Sequence, residues 1–258
     1  MSKRMRVTFL GVGEAFDEML PNTSVRIRAE DGGTGGSVLF DCGFTAPPPF
    51  WRNCPDPDDL DAIWVSHFHG DHFFGIPALL ARFRETGRRK PLLIMGQEGV
   101  EDAVLAALTL AYRSVSARIQ FDLRFREIEP GDTVEAAGLT WRTAVNGHPQ
   151  RDLAVRIERG GASVFYSGDG LPTGDTLVLA KGCDLVIHEA FYLDRETPGH
   201  GSILKCIGFA REAKARALAL VHIQRDERRG RREEILKIIG GVQDLRVFMP
   251  EPGEEVEI

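Results

Sequence analysis

Apolar residues fall mostly into short alternating or continuous runs, with a few longer stretches at helical spacing between them. In the first half, Val25 and Ile27 alternate, and Ser37-Val38-Leu39-Phe40-Asp41 reads as a buried strand. The glycine-rich run Asp31-Gly32-Gly33-Thr34-Gly35-Gly36 between them predicts a turn joining two strands. Ala62-Ile63-Trp64-Val65-Ser66 is a further apolar run. Ile76, Leu79, Leu80 and Phe83 then recur at helical spacing, with Pro77 in the first turn and Gly87 as a stop. Pro91 to Met95 predicts a strand, and Val100, Val104, Leu105 and Leu108 a second helix.

The second half uses the same grammar without repeating the sequence. Ile119, Phe121, Leu123 and Phe125 alternate, as do Leu139, Trp141, Thr143 and Val145, then Leu153, Val155 and Ile157. Ser163–Tyr166, Asp184–Ile187 and Leu218–Val221 are short buried strands, and helices fit Thr173–Lys181, Ser202–Lys214 and Arg232–Ile239. Strands interleaved with a few helices predict packed sheets covered outside by helices. No repeat, low-complexity tract or Pro/Gly/Ser linker divides the chain, so one domain over residues 1–258 is expected.

Composition adds mainly exclusions. The 43% hydrophobic and 27% charged content of the 258 residues is ordinary for a globular protein that needs no staples to fold. Cys42, Cys54, Cys183 and Cys206 are widely spaced and read as separate small core residues in a reducing compartment, not as a disulfide framework or a thiolate zinc site. The basic N-terminus is followed by too short an apolar stretch for a signal peptide or a membrane span, so a cytoplasmic protein with no membrane partner is expected. A net charge of −6 argues against a generic nucleic-acid coat. Arg225, Arg228, Arg229, Arg231 and Arg232 form a local basic cluster, which a solvated helix start explains equally well.

The chemistry concentrates in His67-Phe68-His69-Gly70-Asp71-His72, between a buried strand and a helix. Imidazole and carboxylate suit divalent zinc, manganese or iron, and two metals need about seven or eight ligand atoms. His67 and His69 alternate and can face one metal, while Asp71 and His72 turn toward a second. Further ligands should lie at other strand ends. Candidates are His148 in Asn146-Gly147-His148-Pro149, Asp169 in Ser167-Gly168-Asp169-Gly170 and His222 in Leu220-Val221-His222-Ile223.

This series, His67-x-His69-x-Asp71-His72 with His148, Asp169 and His222, resembles the ligand set of the metallo-β-lactamase superfamily. Phe9-Leu10-Gly11-Val12-Gly13 and Leu39-Phe40-Asp41-Cys42-Gly43 resemble its opening strands. The resemblance implies a four-layer α/β/β/α sandwich binding two divalent ions, zinc first and manganese or iron as alternatives. It puts His67, His69 and His148 on one ion, Asp71, His72 and His222 on the other, and Asp169 between them. Asp184-Leu185-Val186-Ile187-His188-Glu189-Ala190 and Gly199-His200-Gly201-Ser202 resemble motifs of the ribonuclease Z group. There a glutamate and a histidine form a proton-delivering pair, which would be Glu189 and His200; His188 reads as a core or loop-supporting residue. With Asp71, these two form the expected catalytic set.

Two departures shift the expected substrate. Only 20 residues, 149 to 168, separate His148 from Asp169, so the protruding tRNA-gripping arm of the long-arm enzymes is absent. Phe44-Thr45-Ala46-Pro47-Pro48-Pro49-Phe50 replaces the usual Glu-Gly-Thr stretch. The leading expectation is a phosphodiesterase acting on a small or cyclic phosphodiester, a small-molecule substrate, through an activated water between two metals. The alternatives are a tRNA 3′-processing ribonuclease with RNA as partner, a lactone or thioester hydrolase, and an inactive metal-binding sensor. The resemblance admits a homodimer. The apolar Ala46–Trp51 segment and the Phe73-Phe74 pair could line a pocket or a subunit contact, with core packing the expected role of Phe74.

Overall fold

The computed structural model describes residues 4–30, 36–116, 118–195 and 197–258. Within them the apolar runs pair into two seven-stranded sheets. The first half supplies β1 (Arg4–Gly11), β2 (Ser24–Glu30), β3 (Ser37–Phe40), β4 (Ala62–Val65), β5 (Leu92–Gly96) and β6 (Leu123–Glu127), which lie side by side in chain order. The second half supplies β7 (Val134–Ala136), β8 (Leu139–Val145), β9 (Leu153–Arg159), β10 (Ala162–Tyr166), β11 (Leu185–Glu189), β12 (Ala217–Val221) and β13 (Arg246–Phe248) for the other sheet. β14 (Glu255–Glu257) returns to the first sheet beside β1. The strands β2 and β3 pair antiparallel as expected of a hairpin, while the expected turn at Asp31–Gly35 lies outside the described residues.

Side-chain alternation explains why β3, β4 and β11 read as continuous apolar runs. Val38, Phe40, Ala62, Trp64, Leu185 and Ile187 face the layer between the sheets. Leu39, Ile63 and Val65 face an outer layer on one side, and Val186, Leu218 and Leu220 an outer layer on the other. Both faces of these strands are buried, so neither face is polar. The middle layer is cross-linked by aromatics, with Trp141 on β8 packing 5.7 Å from Phe40 and 6.1 Å from Trp64.

Helices close the outer layers. α1 (Pro47–Asn53), α2 (Gly70–Phe73), α3 (Ile76–Glu85) and α4 (Val100–Ser116) belong to the first half, and α5 (Gly174–Ala180), α6 (Ile203–Glu212), α7 (Arg225–Gly230) and α8 (Arg232–Gly240) to the second. Leu79, Leu80, Phe83, Val104 and Leu108 fill the first outer core, and Ile203, Cys206, Ile207 and Ile235 the second. The result is the expected four-layer αββα sandwich. The four cysteines are buried and unpaired, as expected of core residues.

Two expectations are corrected. The strand anticipated over Ile119–Phe125 is displaced to Leu123–Glu127, while Phe121 packs in the core from the preceding loop. Ala46–Trp51 leads into α1, with Pro47, Pro49 and Phe50 buried toward the first outer core. Phe74 is not core: it is 56% exposed, because α2 ends there and turns its ring outward while Phe73 points in.

Candidate metal centre

The strand ends of both sheets meet at one edge of the sandwich. There β4 runs into the loop carrying His67 and His69, and the single turn of α2 carries Asp71 and His72. β8 leads to His148, β10 to Asp169, β11 ends on Glu189 and β12 leads to His222. Asn146 ties two of these loops together, its amide donating to the carbonyls of Ser167 (3.1 Å) and Asp169 (3.0 Å). Gly147 and Leu171 exchange a pair of backbone hydrogen bonds beside it. Gly168 takes a left-handed φ of 63°, and a Cβ there would lie 2.5 Å from Asp152 Oδ2, so the approach to Asp169 needs glycine.

Two groups of donor atoms form. His67 Nε2 and His148 Nε2 lie 3.0 and 3.2 Å from His69 Nδ1. His72 Nε2 lies 3.3 Å from Asp71 Oδ2 and 3.4 Å from Asp169 Oδ1, and His222 Nε2 lies 3.3 and 3.5 Å from the same two carboxylates. Ligands bound tetrahedrally at ~2.0–2.1 Å sit about 3.3 Å apart, so both spacings fit a metal ion. Asp169 also lies within 4.8 Å of donor atoms of His148 and His200, so it stands between the two groups. His72 Nε2 and Asp169 Oδ1 are buried without a hydrogen-bond partner, which is costly unless something else satisfies them. The donor set therefore fits divalent ions.

Electrostatics separate the groups. Burial, reinforced by neighbouring imidazoles, holds His67 down to about 3 and His69 to about 4, leaving both neutral. In the other group, burial opposes charge on His222, yet Asp169 and Asp71 carry its pKa up to about 9. The same carboxylates raise His72 well above its ordinary value against its burial.

A further shell, not foreseen from the sequence, aims these rings. His67 Nδ1 meets Asp152 Oδ2 at 2.8 Å, His72 Nδ1 meets Asp41 Oδ2 at 2.7 Å, and His148 Nδ1 donates to the Gly199 carbonyl at 2.9 Å. A proton on Nδ1 leaves the Nε2 lone pair for a metal. Asp41 also accepts from Ser66 N and Oγ (both 2.8 Å) and Tyr166 OH (2.7 Å), and holds a left-handed φ of 54° unusual for a buried aspartate. Asp41 was visible as part of a motif, but Asp152 carried no signal in the sequence. Asp152→Ala should weaken metal affinity about 10–100-fold, read by competition with a chelating dye. An unchanged affinity would make Asp152 merely a packing residue.

Glu189 and His200 meet at the same edge. Glu189 is fully buried, and its Oε1 accepts from Gly170 N (3.1 Å) and Gly201 N (2.6 Å). His200 Nδ1 lies 3.7 Å from that oxygen, and Glu189 Oε2 has no partner. Burial lowers the His200 pKa, but Glu189 outweighs it and the net shift is upward. The ring stacks on Phe191 at 4.6 Å and on His222 at 6.1 Å. His188 points away into the second outer core beside Phe165, Phe209 and Cys206, as expected.

The donor groups open into a cavity of about 540 Å³, lined also by Glu14, Phe16, Phe44, Phe74, Gln224 and Arg225. The basic cluster nearby is neutralised, each arginine meeting an acid: Arg225 pairs with Glu14, Arg229 with Asp17 and Glu18, Arg231 with Asp194, Glu227 and Glu234, and Arg228 and Arg232 with Glu251.

Comparison with known proteins places this geometry. The β-lactamase superfamily domain family matches residues 37–223. The ribonuclease Z of Methanosarcina acetivorans is 27% identical over 274 aligned positions, covering 85% of this chain and 87% of that protein. An alignment longer than this 258-residue chain requires residues in that relative with no counterpart here. The metallo-β-lactamase fold protein YhfI of Bacillus subtilis has the same fold, with a TM-score of 0.81 at 24% identity over 98% of this chain and 99% of that one. The short form of human tRNase Z superposes with a TM-score of 0.76 at 21% identity, over 97% and 98%.

Proposed function

The chain belongs to the metallo-β-lactamase superfamily, in its ribonuclease Z-like branch, and is a metal-dependent hydrolase; from that premise we propose that it cleaves a small or cyclic phosphodiester. The observation that carries this reading is the buried Glu189 carboxylate backing His200 at the wall of the donor-lined cavity. His67, His69 and His148 would hold one ion, Asp71, His72 and His222 the other, and Asp169 both. Two divalent ions so held would lower the pKa of water toward neutrality and withdraw charge from phosphate oxygens. The chain's own part is proton delivery. Glu189 favours the imidazolium of His200 and faces its Nδ1 side at 3.7 Å, which leaves Nε2 to protonate the departing oxygen.

A second reading, RNA 3′-end processing, is favoured by the likeness to ribonuclease Z. Two observations favour the smaller substrate. β9 and β10 are joined by the two-residue turn Gly160-Gly161, which leaves no room for an arm between His148 and Asp169. Arg225, the arginine lining the cavity, is engaged by Glu14, and a phosphate backbone needs available cations. Protein loaded with zinc or manganese should hydrolyse bis(p-nitrophenyl) phosphate or a cyclic nucleotide and leave precursor tRNA unshifted in gels near physiological salt. Failure on every small diester with both metals overturns the proposal, and a tRNA shift with 3′ cleavage installs the second reading.

A further inference from the structure

Ala15 aside, every apolar side chain lining the cavity is aromatic: Phe16, Phe44, Phe74, Phe191 and Tyr192. Phe191 is occupied in stacking on His200. The other three phenylalanines remain 77%, 48% and 56% exposed, Phe74 with one side of its ring 4.7 Å from that of Phe73. Three exposed phenylalanine rings around one cavity are an unfavourable surface unless something covers them.

Their positions are built. Phe16 lies on a loop held by acids: its backbone N–H donates to Glu14 Oε2 at 2.7 Å, and Glu14, almost wholly buried, takes Arg225 Nη1 on its other oxygen at 2.7 Å. Asp17 accepts from Met19 N (2.9 Å), Leu20 N (3.1 Å) and Arg229 Nη2 (3.2 Å) in the same loop. Phe44 and Phe74 flank the contact between Gly43 and the Asp71 backbone, so close that a Cβ on Gly43 would lie 1.9 Å from the Asp71 carbonyl. The exposure of these rings is therefore imposed by the fold.

We propose that Phe16, Phe44 and Phe74 form a stacking rim that selects phosphodiesters whose retained ester group carries a planar aromatic ring, the nucleobase being its biological form. Aliphatic chains favour linings of Leu, Ile and Met, which this cavity lacks; a flat π-face matches flat π-faces whatever its edge carries. The arginine lining the cavity, Arg225, is turned to Glu14, so selection between the retained groups rests on stacking more than on a free guanidinium.

The proposal rests on the phosphodiesterase reading, and its test separates the two. Thymidine 5′-(p-nitrophenyl phosphate) and methyl p-nitrophenyl phosphate release the same leaving group and differ only in the retained group. The zinc-loaded protein should favour the nucleoside ester in kcat/KM by at least about tenfold. Phe16→Ala and Phe44→Ala should each erode that ratio several-fold through KM, with Phe16→Trp restoring it. A ratio near one in the wild-type protein, or one unmoved by both alanines, overturns the rim. If neither diester is hydrolysed, the phosphodiesterase reading fails alone, and binding decides the rim: adenosine 5′-monophosphate should bind about tenfold tighter than ribose 5-phosphate by calorimetry, and equal affinity overturns it. Phe16→Ala that converts a dimer to a monomer in sedimentation and leaves the substrate ratio in place assigns the rings to a second copy, and likewise overturns it.

Discussion

Asp169→Ala should cut turnover of any accepted substrate by roughly 10³-fold or more and lower metal content from two ions per chain to one or fewer. The two oxygens of Asp169 approach His72 Nε2 at 3.4 Å and His222 Nε2 at 3.5 Å, and it shares reach with His148 of the other group. No other carboxylate among the described residues groups with both sets, since Asp71 groups with His72, Asp169 and His222 but not with His148. Without it the two imidazoles keep one carboxylate for a buried site that holds two. Elemental analysis of dialysed protein gives the stoichiometry, and circular dichroism shows whether the fold survives. Two tightly held ions with wild-type turnover in the variant would remove Asp169 from the centre.

How far such a site can be read from sequence depends on whether its geometry is local. His67 to His72 lie on one strand-end loop and one helical turn, so their convergence follows from chain direction alone. His148, Asp169 and His222 were legible only jointly, as polar residues closing apolar strands, because a strand end is where a side chain can leave the core. Asp152 was not legible at all. It acts on His67, 85 residues earlier in the chain, and nothing near it marks the role. Phe74 misled for a related reason. Its neighbour Phe73 is the core residue, and only the end of the one-turn α2 decides which ring points out. The edge strands β7, β13 and β14 have three residues each, too few for a period to declare itself. The antiparallel pairing of β2 and β3, by contrast, was legible from the apolar runs on either side of the Gly-rich segment.

His200→Ala should cost ~10²–10⁴-fold in kcat on a cyclic nucleotide, whose leaving alkoxide must be protonated as the bond breaks. The same variant should lose at most about tenfold on bis(p-nitrophenyl) phosphate, because p-nitrophenolate departs without a proton. This contrast separates proton delivery from binding, since a residue that only holds phosphate would affect both substrates alike. Glu189→Gln should fall between wild type and His200→Ala on the cyclic substrate: the amide keeps the shape that accepts from Gly170 N and Gly201 N but gives up the charge that raises the His200 pKa. Equal losses on both diesters would reassign His200 to binding. If His200→Ala leaves turnover intact while a lactone or thioester proves the better substrate, the same metals serve carbonyl chemistry and the phosphodiester reading falls.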